Sequence, residues 1–209
     1  MHRILYGVVA IITILLFAAC QPQSPAAAQH AVSPTPMDTT LPSAPDASSA
    51  RPAETVPGGF TICSSGIVDG VILDAYGARG AQKTKGIPNR SFALSLQNVP
   101  EGTVCIALSV IDPDGGNWVH WLAANLPAAD LAENASVDLA DGMLQGKNGF
   151  DFVGYGGPTP PGGTHTYVIT VYALSESVAL KNGFSYKQFQ EAIDQKVIAS
   201  TTLTGDYAH

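Results

Sequence analysis

Two stretches of this chain hold the residue types from which a chemically active site is built. The first is Asp112-Pro113-Asp114-Gly115-Gly116-Asn117-Trp118-Val119-His120-Trp121. A carboxylate and an imidazole together can hold, orient or relay a proton. A histidine between tryptophans must also find partners for its ring nitrogens, and a nearby aspartate is the evident one. The second is Gly154-Tyr155-Gly156-Gly157-Pro158-Thr159-Pro160-Pro161-Gly162-Gly163-Thr164-His165-Thr166-Tyr167. Glycine permits close backbone approach and proline fixes an extended path, so this reads as a stiff loop with exposed amides that delivers His165 and Tyr167 to the start of a strand. Strand alternation sets those two side chains on one face. It also sets His120 on the face of Trp118, opposite Trp121. The plain alternative is that Asp112, His120 and His165 form a satisfied structural network at strand ends.

The elements that must position these groups are short apolar runs separated by turn formers. Phe60–Cys63, Phe92–Leu96, Val104–Ile111, Trp118–Ala124 and Tyr167–Leu174 read as strands, and Ser200–Tyr207 as a closing strand. Val104–Ile111 is apolar at nearly every position, as in a strand covered on both faces. Asp112 follows that strand directly and His120 lies in the next, so the two arrive at the same end of neighbouring strands. Asn98-Val99-Pro100-Glu101-Gly102 reads as a hairpin connection between the second and third runs. One helix is legible: Ser185 and Gln188 have capping-box spacing, and Tyr186, Phe189, Ile193 and Val197 share a helical face. Many strands and a late helix make a mainly β domain.

These motifs, in this order and spacing, resemble the bacterial branch of the phosphatidylethanolamine-binding, or Raf-kinase-inhibitor-like, protein family. The resemblance rests on Phe92–Thr103, Asp112-Pro113-Asp114 with Trp118-Val119-His120-Trp121, Asn125-Leu126-Pro127, Gly154–Leu174 and Leu203-Thr204-Gly205-Asp206-Tyr207. It implies a β-sandwich around a large central sheet with one or two C-terminal helices. It also implies a small surface pocket for an anion such as phosphate or phosphoethanolamine. Carried over position by position, Asp112 and His120 match the acidic and imidazole members of that pocket, Thr159 and Pro161 its rim, and His165 and Tyr167 its remaining donors. Two departures stand out. The family's Ala-Pro after Asp-Pro-Asp is Gly115-Gly116 here, and its His-Arg-Tyr is His165-Thr166-Tyr167, without the cation.

The expected function is an anion- or phospholipid-head-group-binding module without a cofactor, regulating or inhibiting a partner protein that nothing in the sequence names. In the expected mechanism His120, His165, Tyr167 and loop amides donate to the anion while Asp112 orients one imidazole. A protonated histidine would then raise affinity as pH falls through about 6.5. Two rivals use the same residues. Two histidines and Asp112 could form a metal site, but they lack local ligand spacing. A hydrolase could pair Asp112 and a histidine with a serine such as Ser109, but no serine sits on a glycine-flanked elbow.

The remaining sequence places this domain. Arg3, an apolar run from Ile4 to Ala19, and Phe17-Ala18-Ala19-Cys20 resemble a lipoprotein signal peptide over residues 1–19, with Cys20 lipidated. Residues 21–57 include eight Pro, eight Ala, five Ser and four Thr and lack Phe, Trp and Tyr. Such a segment cannot bury enough apolar surface to order itself, so residues 20–57 read as a linker. The expectation is an exported domain, residues 58–209, lipid-anchored in the bacterial cell envelope. From residue 58 onward, 8 Lys and Arg against 14 Asp and Glu give 8 − 14 = −6. That balance, without a basic cluster, argues against nucleic-acid binding. With Cys20 lipidated, Cys63 and Cys105 remain as an even pair in an oxidising compartment. They would form either a disulfide between distant strands or two buried free thiols.

Overall fold

The computed structural model describes residues 59–209, so the expectations for the signal segment, Cys20 and the linker lie outside the described residues. The strands in chain order are β1 (Thr61–Cys63), β2 (Ile67–Val68), β3 (Val71–Ile72), β4 (Lys83–Thr84), β5 (Ile87–Pro88), β6 (Ser95–Gln97), β7 (Cys105–Asp112), β8 (Trp118–Leu126), β9 (Leu144–Gln145), β10 (Thr164–Leu174) and β11 (Val197–Ala208). A single α-helix among these residues, α1 (Tyr186–Ile193), precedes the last strand. Seven strands form the central sheet in the order β2-β3-β11-β10-β7-β8-β9, with two-stranded sheets β1-β6 and β4-β5 beside it. The fold is mainly β with a large central sheet, as the resemblance implies.

β7 lies inside the sheet, between β10 and β8, and its continuous apolar sequence follows from burial on both faces. Ile106, Leu108 and Val110 face a cluster with Phe92, Trp121, Tyr155, Tyr167 and Ile169. Cys105 and Ala107 face the other way, onto Leu122, Phe184, Phe189 and Ile193. The helix closes this second cluster. The Ser185 side chain accepts from the Gln188 amide, Gln188 bonds back to the Ser185 amide, and Phe189 and Ile193 are buried. Burying each such side chain contributes roughly 1.5–3 kcal/mol.

Three sequence expectations give way to the structure, and one of the two alternatives for the cysteine pair falls. Val197 is not on the helix: the chain turns at Gln195, whose φ is 64°, and Val197 opens β11. The second predicted run shortens to Ser95–Gln97, because Phe92 and Leu94 are buried by packing outside a strand. The Asn98–Gly102 segment is not a hairpin. β6 pairs with β1 and β7 with β8 and β10, so the segment carries the chain from one sheet to another. Finally, Cys105 is a buried free thiol, and no bridge joins it to Cys63. It packs against the α1 side of the central sheet, whereas Cys63 lies in the separate β1-β6 pair.

Candidate functional site

The two polar motifs meet at one end of the central sheet because β7 and β10 are antiparallel neighbours. Val168 pairs with Ile111, and continuing that register sets Tyr167 opposite Asp112. The β7–β8 turn is closed by Gly116 and Asn117, with φ of 74° and 63°. Glycine adopts this left-handed region at no steric cost, and asparagine tolerates it. Asp112 then pairs with Trp118.

Here the Asp112 carboxylate joins both motifs. Its Oδ2 lies 2.8 Å from Nδ1 of His165, and its Oδ1 accepts from the Gly115 amide at 2.8 Å. Asp112 therefore orients His165 and not His120, the partner that its own motif suggests. The adjacent Asp114 accepts from the Thr166 amide at 2.8 Å, a second tie between the turn and β10.

His120 sits where β8 carries an extra residue. Val110 pairs with Trp121 and Ile111 with Val119, leaving His120 between them as a β-bulge. A bulge re-aims side chains beside functional sites. The alternation that put His120 opposite Trp121 is broken here, and the imidazole packs edge-on against Tyr167 with centroids 5.0 Å apart. Tyr167 belongs to the same buried cluster as Trp121. The Phe150 ring lies 5.6 Å from that of His120 and 5.5 Å from that of Trp118.

The hydrogen bonds of His120 fix its proton. Its Nδ1 lies 2.6 Å from the Gly156 carbonyl oxygen, which can only accept, so Nδ1 carries the hydrogen. The Gly156 amide donates back to the His120 carbonyl at 2.8 Å. Burial pushes the His120 imidazole down to about 4, against the smaller upward pull of the Gly156 bond and Asp112. It is therefore neutral near pH 7. Its Nε2 is buried without a hydrogen-bond partner, and so is the hydroxyl of Tyr167, whose ring packs against it. Burial, then Asp112, raises the Tyr167 phenol far above its usual range, so it remains a donor. Side-chain exposure is 6% for Asp112 and 14% for His165, while the flanking Trp118 is 42% exposed.

The proline loop is pinned along its length. Gly157 donates to the Pro88 carbonyl and Ala78 to that of Pro158, while the His209 ring donates to Pro160 at 2.8 Å. Thr159 is half-buried and Pro161 exposed within this loop. Of the expected site residues, Asp112, His120, His165 and Tyr167 are brought together. Thr159 and Pro161 occupy the pinned loop and make no side-chain hydrogen bond to those four. Sequence reasoning missed Gly156, which acts through its main chain, Phe150, which no motif marks, and His209, which held no position in either stretch. Two grooves elsewhere, one lined by residues 179–184 and Gln188 and the other including Thr84, Asn89, Ser136 and Tyr155, share no residue with this site and gather no titratable cluster. Among the described residues no three His, Cys, Asp or Glu side chains gather as metal ligands.

Residues 63–208 match the family model described as phosphatidylethanolamine-binding protein. This chain belongs to that family. The uncharacterized protein YxkA of Bacillus subtilis is 36% identical over 139 residues, covering 58% of this chain and 83% of that protein. The UPF0098 protein YbcL of Escherichia coli is 34% identical over 148 residues, covering 65% and 77%. The crystal structure of YbcL, described as a member of the mammalian family, superposes with a TM-score of 0.63 at 29% identity, covering 72% of this chain and 98% of that one. A family homologue from Chlamydia trachomatis superposes with a TM-score of 0.64 at 30% identity, covering 73% and 99%.

Proposed function

We propose that this phosphatidylethanolamine-binding-family domain binds a small anionic group, a phosphate or phospholipid head group, at the Asp112, His120, His165 and Tyr167 cluster. One observation carries the reading: two buried polar atoms on rings that pack edge to face, Nε2 of His120 and the Tyr167 hydroxyl, have no hydrogen-bond partner in the protein. Buried polar groups in a purely structural network are paired, because an unpaired one costs about 1–3 kcal/mol. Two such atoms in one cluster, supplied by chain segments that meet only in the fold, suit a ligand. Entry is past His165 and Trp118, the most exposed members of the group. Thr159 and Pro161 form the rim, and Trp118 and Phe150 offer an aromatic wall to whatever the anion is attached to.

The serine offered as an example for the ester-hydrolase reading lies on the other face of the sheet. Ser109 alternates with Leu108 and Val110 on β7, so it faces the helix side of the sheet, away from Asp112 and Tyr167. In the proposed role the N-terminal segment holds the domain at a membrane through Cys20, and a partner protein senses whether the site is filled. Titration of phosphoethanolamine into the wild-type chain and a His120→Ala, His165→Ala double variant tests the reading. Binding lost in the variant supports it; equal binding by the two proteins rules it out.

A further inference from the structure

The loop that carries the rim of the anion site cannot fix its own path. Of the six residues from Pro158 to Gly163, three are prolines, which have no N–H to donate. Gly163 adopts a φ of 70°, and a Cβ added at Gly162 or Gly163 would meet nothing within 4 Å, so that side of the loop is open. Its carbonyls are what hold it. That of Pro158 accepts from the Ala78 amide at 2.8 Å. That of Pro160 lies 2.8 Å from Nδ1 of His209, and that of Gly163 accepts from the His209 amide at 2.9 Å. A carbonyl oxygen only accepts, so Nδ1 of His209 carries the hydrogen. Among the described residues, the loop beyond Pro158 is therefore tied by hydrogen bonds to His209 alone.

His209 is itself set in place. β11 pairs with β10 as far as Ala208 opposite Thr164, so the next residue falls where the loop enters β10. Arg79 secures this end of β11. Its Nη1 donates to the Ala208 carbonyl and its amide to the Tyr207 hydroxyl, each at 3.0 Å. Its guanidinium carbon lies 4.4 Å from the centroid of the Tyr207 ring, and its Nε donates to Asp74 at 2.7 Å. Arg79 directly follows Ala78, the donor to Pro158. The two halves of the loop are thus fastened to one brace, Ala78 and Arg79 on one side and Ala208 and His209 on the other.

We infer that His209 is a positioning residue of the anion site, a role that rests on the reading just given. It touches no ligand. It fixes Thr159 and Pro161 on the rim and, two residues beyond Gly163, the start of the strand that carries His165. Without the imidazole the loop keeps only the bond at Gly163, and the rim is free to take other paths. Binding must then order it, and that ordering is subtracted from the affinity. His209 is exposed, so its loss leaves overall stability nearly unchanged.

Two substitutions in the full chain, held in detergent and in phosphate-free buffer, test this. His209→Ala removes the donor. His209→Asn keeps one, because a side-chain amide nitrogen can stand about where Nδ1 does. Phosphoethanolamine affinity is read by calorimetric titration, and loop motion by the NMR order parameters of Thr159, Gly162 and Gly163 without ligand. His209→Ala is expected to bind roughly three- to tenfold more weakly, as for one or two groups ordered on binding. Its loop order parameters should fall while its unfolding midpoint stays that of the wild type. His209→Asn is expected to match the wild type in all three. Wild-type affinity in His209→Ala overturns the inference and leaves the anion site standing. Equal weakening by both substitutions with unchanged order parameters also overturns it, since the ring would then contact the ligand directly. Absence of binding by the wild type overturns the anion-site reading, and this inference with it.

Discussion

Oδ2 of Asp112 lies 2.8 Å from Nδ1 of His165, 53 residues further along the chain, and that one contact fastens the two polar motifs to each other. The same carboxylate holds the Gly115 amide with its other oxygen. Removing it leaves a partly buried imidazole N–H and a partly buried amide without an acceptor. Asp112→Ala is therefore expected to cost about 1–3 kcal/mol, measured as a lowered urea midpoint with unchanged slope. It should also abolish phosphoethanolamine binding, because His165 loses the group that orients it. A variant as stable as wild type would mean that the contact contributes nothing to the ligand-free protein.

Tyr167 presents the opposite case. Its ring is fully buried and packed on His120, but its hydroxyl meets no partner. Tyr167→Phe keeps the ring and removes an unsatisfied polar group. In ligand-free buffer the variant is expected to be as stable as wild type, or more stable by about 1 kcal/mol, with phosphoethanolamine affinity reduced at least about tenfold. Thermal unfolding with and without the ester reads both effects. Marked destabilisation without ligand would show that the hydroxyl has a structural role instead.

The sequence shows why some of this is legible and some is not. Alternation and apolar runs locate β7, β8 and β10, because a strand buried on both faces leaves little freedom of sequence. The capping box at Ser185 and Gln188 locates the start of α1. Periodicity could not show the bulge at His120, since one inserted residue reverses the face of everything before it while the residue types stay the same. Nor could it show that Asp112 serves His165: the choice between two imidazoles is made by strand pairing across 53 residues, not by the short spacing to His120. Gly156 contributes a carbonyl, and any residue type supplies one. Its identity as glycine reflects a different demand, since a Cβ there would lie 2.5 Å from the Phe150 ring. The free Cys105 shows the limit of counting cysteines: an even number says nothing about which layer of the fold each one enters.

Gly115 accounts for one departure from the family pattern. A Cβ at this position would lie 2.8 Å from Asp112 Oδ2 and 3.1 Å from its Cγ. That carboxylate cannot swing aside freely, because it is committed to His165. Gly115→Ala is expected to displace Asp112 and lower stability by about 1–3 kcal/mol, in the range of overpacking a filled site. The distinguishing measurement is the imidazole NMR signals: those of His165 should shift and those of His120, held by Gly156, should not. A variant with wild-type stability and both rings unmoved would show that the turn relaxes around the added methyl group.

His120 sets a pH dependence whose sign follows from its burial. Its imidazole titrates near 6.5 when exposed and about 4 in the folded protein. Between those values the unfolded chain binds the extra proton and the folded chain does not. Stability is therefore greatest above about pH 6.5, declines as pH falls, and has lost this contribution entirely near pH 4. At about 1.4 kcal/mol per tenfold, the loss is about 3 kcal/mol. Other groups titrate in the same interval, so the measurement is the difference between wild type and His120→Gln, whose side chain can still donate to the Gly156 carbonyl and carries no titrating proton. Urea unfolding at neutral pH and near pH 4 should show the wild type losing about 3 kcal/mol more than the variant. If the two proteins lose stability in parallel, His120 accepts its second proton without penalty. Nε2 would then carry a hydrogen in mild acid, against the downward shift assigned to its burial.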